Sequence, residues 1–416
     1  MNRLRVVYKG WEEQWPLGAL AEFQGALYFE YSAEALAAGI EFSPMHLPLK
    51  RGAQRAPRDP FNGLAGFIAD SLPDGWGMLL MDRAFRKAGR EPTTLSPLDR
   101  LAFIGDRGMG ALAFEPDTGE VLAAHDVSLL NLSRQVETVT RGASQAVLRE
   151  LLYLGGSPQG ARPKALVDFN PKAGYLSAGS DAPPGSQPWL VKFPAAGEHA
   201  EAAAIEEWYA RLARACGIDM PESRYFRLGR SHAAFGVRRF DRVDGQRVPL
   251  HTLAGAMHAD FRLPSVDAVD FLRFTHLMTH NMHEVLHAFE RCVFNLLFHN
   301  RDDHAKNFSY RLGVDKRWTL SPAYDLTFST GMRGHHQMAY AGETRDPGHE
   351  HLLAVAKAGG LAPAAALAVI DKQRAVAARP QRQVKELPIR KATLQGTIQY
   401  IARNLGRLKT SFRGVA

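Results

Sequence analysis

The chain has 416 residues, 45% apolar and 23% charged, and a formal net charge of +8. That is the composition of an ordinary globular protein of two or three domains; it excludes a low-complexity chain, and the positive balance favours anionic partners without choosing among them. Cys216 and Cys292, both in apolar helical stretches, exclude a disulfide framework and fit a reducing cytoplasm. The N-terminus turns acidic after a few apolar residues, so no secretory signal is expected. No apolar run approaches the roughly 20 residues that cross a bilayer, so no membrane association is expected.

Residues 4 to 32 alternate and are rich in β-formers, reading as strands joined by Gly-bearing turns. FNGLAGFIADSLPDGWGMLLMDRAFRKAG follows, with helical spacing from Trp76 to Phe85. Strand-like ALAFEP closes this part, and PDTGEVLAAHD marks a boundary. A helical block, DVSLLNLSRQVETVTRGASQAVLRELLYL, leads to a Gly-rich loop between short strands, GGSPQGARPKALVDFNPKAGYLSAG. The linker SDAPPGSQP precedes a strand, PWLVKFP. The helix EHAEAAAIEEWYARLARACG carries Ile205, Trp208, Tyr209, Leu212 and Cys216 on one stripe, with Gly217 as its stop. Strands then surround turns at Gly229 and Asp244-Gly245. From residue 265 the chain is mostly helical, interrupted by HNRDDHAKNFSY and WTLSPAYDLTF.

Several motifs invite chemistry. HEVLH, residues 283 to 287, matches the H-E-x-x-H of zinc peptidases, with Glu284 between two His one turn apart. In a chain with 16 His the match is weak, because Glu290 and Val293 stand where a third-ligand extension needs Gly and His. GDRGMG lacks a βαβ context and reads as a tight turn. The basic stretch KQRAVAARPQRQVKELPIRK reads first as a solvated face and second as a peripheral contact to a phosphate backbone.

HNRDDHAKNFSY carries more. Phosphoryl transfer needs an acid to take the acceptor's proton, oxygen ligands for magnesium, and a lysine on the phosphates. Asp302 and Asn307 stand in the R-D-x-x-x-x-N spacing, with His304 and Lys306 between them, in one short loop at a helix end. The hairpin FSYRLGVDKRWTL then leads to Asp325. Upstream, Lys192 is the strand lysine and Glu206 its expected ion-pair partner, with Glu207 the close rival. Gly155 to Lys164 supply a loop to cover phosphates. Each feature alone is weak; their order is the signal. Asp303 reads as structural or solvated.

With these motifs in place, the sequence resembles the HipA family, the kinase toxins of bacterial toxin–antitoxin pairs, over nearly its whole length. GLAGFIADSLPDGWG is similar to the family's first-domain motif, GSPQGARPKALV to its phosphate loop and VRRFDR to its hinge. NRDDHAKNFS and LSPAYDL are similar to its catalytic and metal segments. The resemblance implies an α+β, two-lobed protein-kinase-like fold. It would have a β-rich N-terminal subdomain (1–118), a kinase N-lobe with phosphate loop and hinge (119–247) and an all-helical C-terminal lobe (248–416).

It further implies a serine/threonine protein kinase using ATP and Mg2+, with Asp302 as catalytic acid and Asn307 and Asp325 as metal ligands. ATP contacts would come from Gln159, Gly160, Ala161, Arg162, Pro163, Lys164, Lys192, Arg238, Arg239, Phe240, His304, Lys306 and Tyr324, the hinge acting mainly through its backbone. Ser157 matches the serine whose autophosphorylation drives the phosphate loop out. The departures are Pro158 after that serine, and Arg238 where the family often has an acid. The implied partners are a DNA-binding antitoxin of the HipB type and a protein substrate such as an aminoacyl-tRNA synthetase. The nucleotide machinery by itself leaves open a small-molecule or lipid kinase, and the resemblance leaves open a non-catalytic DNA-bound co-repressor.

Overall fold

Strand β1 (Arg3–Gly10) alternates exposed Arg3 and Arg5 with buried Leu4 and Val6, so one face of its sheet is committed to a core. It pairs with β2 (Glu13–Phe23), β2 pairs with β3 (Ala26–Tyr31), and β4 (Leu112–Glu115) returns to the free side of β1. The result is an antiparallel sheet ordered β3-β2-β1-β4. The computed structural model describes residues 1–119, 125–140, 151–152, 154, 160–178, 182–195 and 197–408.

Four helices accompany this sheet: α1 (Ala33–Ala38), α2 (Gly66–Ala69), α3 (Gly75–Lys87) and α4 (Pro97–Ile104). The part read as β-rich therefore holds about as much helix as strand. For α1 and α4 the signals were local caps. Ser32 accepts from the Ala35 N–H, and Ser96 and Asp99 form a reciprocal capping box.

The second sheet has six strands: β5 (His125–Asp126), β6 (Lys164–Phe169), β7 (Leu176–Ala178), β8 (Gln187–Lys192), β9 (Ser223–Arg227) and β10 (Ala233–Arg238). Their order is β5-β7-β6-β8-β10-β9, antiparallel throughout. Helix α5 (Leu129–Thr140) packs Leu132 and Val136 with Val167, Trp189 and Val191 of the sheet. Helix α6 (Glu201–Ala215) follows β8 and buries Trp208, Tyr209 and Leu212 completely, the stripe its spacing foretells. Gly217, at φ +80°, lets the chain turn away after it. Strands β11 (Arg242–Val243) and β12 (Gln246–Arg247) form a hairpin across Asp244-Gly245, both at positive φ as a two-residue turn requires.

The C-terminal part begins with β13 (Leu250–Thr252) and α7 (Leu253–Met257). It continues through β14 (Val266–Asp267), α8 (Ala268–Thr279), α9 (Met282–Leu297), β15 (Ser309–Leu312), β16 (Trp318–Leu320) and β17 (Met338–Ala339). It ends with α10 (His349–Ala358), α11 (Pro363–Ala377) and α12 (Lys391–Arg407). This lobe is mainly helical but not all-helical. β13, β15 and β16 make a three-stranded antiparallel sheet, and β14 pairs in parallel with β17. The chain on either side of HNRDDHAKNFSY leaves a buried region, so its backbone groups need partners, and short strands supply them.

The GLAGFIADSLPDGWG motif docks the first part onto the rest. Gly66 of α2 lies so close to α7 that a Cβ there would fall 1.9 Å from the Gly255 carbonyl. Asp70 accepts from the Thr252 N–H and hydroxyl at 2.7 Å each, and His251 Nδ1 lies 2.7 Å from it.

Candidate functional site

Helix α9 is the mount. Asn281 caps it by accepting from the His283 N–H, and Val285, Phe289, Cys292, Val293 and Leu296 bury its apolar face. It ends at Phe298, and His299 at φ +57° swings the chain into the polar segment. His299 is buried, its ring stacked 4.4 Å from Tyr400, with Asn404 Nδ2 3.1 Å from its Nδ1. Burial, with Arg301 beside it, pushes its pKa down to about 3, so it is neutral.

Asp303 is fully buried. Its Oδ1 accepts from the Gln337 and Met338 N–H groups at 2.8 and 3.2 Å, while its Oδ2 accepts from the Tyr340 hydroxyl at 2.8 Å and lies 2.7 Å from His336 Nδ1. Of the two expectations for Asp303, the solvated one is overturned and the structural one stands. This carboxylate ties the polar segment to the chain at 336–340. Asp303→Ala leaves several buried donors without an acceptor and should cost about 3 kcal/mol or more, since each orphan costs roughly 1–3 kcal/mol. Thermal and urea denaturation measure it; a loss below about 1 kcal/mol would refute the anchor.

Across the cleft, β6 and β8 place Lys164 opposite Lys192 in register. Two ammonium groups on adjacent strands need counterions. Lys192 Nζ donates to Glu206 Oε2 at 2.9 Å and to Asp325 Oδ1. Glu206 Oε1 also takes the Arg162 guanidinium at 2.9 Å, and Arg162 reaches Glu198 at 2.9 Å. Glu207, the rival for Lys192, is spent on Arg211 and the Ser223 hydroxyl. Burial works against the Lys192 charge, but Asp325 and Glu206 more than offset it and hold its pKa above the usual range. Lys164 goes the other way: burial and the Lys192 charge pull it down to about 8.

Asp325 has φ +54°, a left-handed backbone that a non-glycine residue adopts at a cost and that collects at functional sites. Burial opposes its charge, yet Lys192 and Lys164 hold its carboxyl well below the usual range. Facing it, the Asp302 side chain is 53% exposed. Desolvation by the surrounding cleft, with Asp325 and Asp303 nearby, raises its pKa although His304 pulls the other way. His304 Nε2 is 3.9 Å from Asp302, while its Nδ1 is buried with no partner among the described residues. Asn307 Nδ2 donates to the Asp302 carbonyl at 2.7 Å, closing the loop on itself. The Tyr324 hydroxyl donates to the Lys306 carbonyl at 2.7 Å, and the Tyr324 ring lies 5.6 Å from Phe240 of the hinge.

At the hinge, the backbone donors are unequally available. The Arg238 and Arg239 N–H groups are already committed to the Glu222 and Pro188 carbonyls at 2.8 and 2.9 Å. A ligand that needs a backbone N–H from the hinge would therefore have to find it beyond Arg239. The Arg239 side chain forks onto buried Asp241 at 2.8 Å for each bond, and Asp241 also accepts from the Gly110 N–H of the first part.

Thus Arg162, Lys164, Lys192, Glu206, Asp302, His304 and Asp325 come together, with Lys306, Asn307 and Tyr324 beside them. Gly160, Ala161 and Pro163 lead into β6 beside this group. Gln159, Ser157 and Pro158 lie outside the described residues. Glu284 of HEVLH accepts from the Leu320 N–H at 2.9 Å, and among the described residues no group of three metal-ligating side chains converges there or elsewhere. Sequence reasoning missed Asp74, Glu198 and the fixing partners of Asp303. Asp74 is 232 residues from the lysine it binds, and no spacing rule reaches that far.

The site carries four cations, Arg162, Lys164, Lys192 and Lys306, together with the carboxylates that hold Arg162, Lys192 and Lys306. It also has a glycine, Gly160, at φ +104°, a backbone conformation that favours glycine. The donor set fits a nucleoside triphosphate, and Asn307 with Asp325 supplies oxygen ligands of the kind magnesium takes.

Residues 8–115 match the model of the HipA N-terminal domain, and residues 156–380, more than half the chain, match that of the HipA-like C-terminal domain. HipA from the toxin–antitoxin complex of Shewanella oneidensis MR-1 with HipB and operator DNA superposes with a TM-score of 0.70. It is 19% identical, and the match covers 97% of this chain and 96% of that one. The Helicobacter pylori proinflammatory kinase CtkA is more distant: 10% identity, TM-score 0.34, covering 58% of this chain and 93% of that one. Two matching domains in the right order, on a shared two-lobed fold, mean that this chain belongs to the HipA family.

Proposed function

We propose that the chain is the kinase toxin of a toxin–antitoxin pair, transferring the γ-phosphoryl group of ATP to a serine or threonine hydroxyl. The observation that carries this reading is the buried Lys192–Glu206 pair joined to Asp325 and faced by Asp302. It is an arrangement a phosphoryl-transfer site needs and a structural core does not. Asp302 would orient the acceptor hydroxyl and take its proton as the new O–P bond forms and ADP leaves. Lys192 would steady the phosphates, its own place fixed by Glu206. Asn307 and Asp325 would hold magnesium, which when bound neutralises phosphate charge. Lys164, His304 and Lys306 would meet the nucleotide, and Phe240 with Tyr324 would border the adenine. The substrate is proposed to be a component of translation such as an aminoacyl-tRNA synthetase. The partner is proposed to be a DNA-binding antitoxin of the HipB type, as in the Shewanella complex. Autophosphorylation at Ser157 would place a dianion in the phosphate loop and repel ATP.

The test is transfer of labelled phosphate from ATP, with magnesium, onto cell proteins beside a metabolite and lipid extract. Label in serine or threonine of a protein supports the reading. Label only in small molecules or lipids makes the chain a different kinase, and no label in either overturns the enzyme.

A pH dependence follows from Lys164. At a pKa of about 8 in the free protein it loses its charge as pH rises through that value. A bound polyanion would raise the pKa, so the complex holds more protons than the free protein and affinity must fall with rising pH. Nucleotide affinity should drop above pH 8, by up to about tenfold per unit for one linked proton. Lys164→Arg should flatten the profile; a wild-type profile flat from pH 7 to 10 would remove Lys164 from the site.

A further inference from the structure

The first subdomain reaches into the cleft through one carboxylate. Asp74 precedes α3, at the PDG of the docking motif. Its Oδ1 accepts from the Gly160 N–H and its Oδ2 from Lys306 Nζ at 3.0 Å. Gly160 is held on both sides, because its carbonyl accepts from the Trp76 N–H at 3.2 Å. Gly75, at φ +40°, comes so near that a Cβ would fall 2.5 Å from Ala161 Cα. Lys306 is confined too. Its ammonium lies 4.2 Å from the Phe261 ring centroid, and its carbonyl accepts from Tyr324.

We propose that Asp74 is a positioning residue of the nucleotide site, by which the first subdomain holds Gly160 and Lys306 in register for the phosphates. This rests on the nucleotide-binding reading above. A lone carboxylate bridging a loop amide and a lysine could also be a stand-in that a phosphate displaces. The first subdomain also grips Gly160 through the Trp76 N–H and abuts Ala161 through Gly75, so Asp74 is one of several points at which it holds this loop, which favours positioning over a stand-in. Burial opposes the Asp74 charge, but Lys306, the Gly160 N–H and Lys164 keep its carboxyl ionised. Fixing a flexible lysine in advance lowers the entropy lost when an anion arrives. The first subdomain is then part of the catalytic unit and more than a docking module.

The test uses full-length protein and a magnesium complex of an ATP analogue with a non-hydrolysable β–γ bridge. Asp74→Ala should weaken its binding about tenfold or more, the weight of a charge-assisted contact. The KM for ATP should rise in step while the KM for the acceptor stays put. Without nucleotide, amide exchange at Gly160 should accelerate. Asp74→Asn keeps an acceptor for Gly160 but not the charge on Lys306. It should lose affinity while Gly160 stays protected, which separates positioning from general loosening. Unchanged or tighter binding by Asp74→Ala, with wild type binding normally, overturns this proposal alone. Wild type that fails to bind the analogue overturns the nucleotide reading and this proposal with it.

Discussion

Asp302→Asn should lower phosphoryl transfer by about a thousandfold, within the usual 10²–10⁴ range for a general acid–base group. The substitution keeps the shape and removes only the proton acceptor. Its side chain is half exposed, and its loop is tied by Asn307 to the Asp302 backbone carbonyl rather than to its carboxylate. The variant should therefore fold, melt within a degree or two of wild type and still join an antitoxin on DNA. Comparing serine and threonine phosphorylation in cells making wild type or Asp302→Asn protein measures the loss and names the substrate in one experiment. Growth arrest that persists in the variant would remove kinase chemistry from the toxic effect and leave the co-repressor role.

Lys192→Met has the second large effect, and it is twofold. The lysine stands between Glu206 and Asp325, and Glu206 keeps only Arg162 when it is gone. Removing one member of a buried ionic group strands the charge of the others and typically costs about 3–5 kcal/mol. Nucleotide binding should fall with it. Glu206→Gln separates the two effects, since it keeps volume and some hydrogen bonding while freeing Lys192. It should bind nucleotide weakly with a smaller stability loss. A Lys192→Met protein as stable as wild type would mean that solvent, and not Lys192, satisfies Glu206.

Much of this was legible in the chain. The stripe Trp208, Tyr209, Leu212 set α6 on its sheet, and α6 following β8 brought Glu206 to Lys192. The R-D-x-x-x-x-N spacing placed Asp302 and Asn307 in one loop because that distance is local. Most of what stayed hidden was set by long-range packing. Helices α1 and α4 were hidden for a local reason, since they begin at caps, Ser32 and Ser96, that look like loop residues, whereas α3 was expected from its spacing. Asp303 looked like half of an acidic pair, because its partners His336 and Tyr340 lie some 35 residues on. The hinge amides were spent on Glu222 and Pro188, which no motif reports.

The stacking of His299 on Tyr400, and the grip of Asn404 on it, has a consequence in time. Asn404 also donates to the Leu296 carbonyl at 2.8 Å, so the last described helix braces the very end of the mount. A ribosome makes His299 105 codons before it makes the Asn404 that braces it. Until Tyr400 and Asn404 emerge, the turn at His299 rests on Phe328, on the Ser329 N–H and on the Asp303 anchor. Synthesis therefore completes the support of this segment well after the segment itself, so a chain cut before Tyr400 should hold Asp302 less rigidly than the full one.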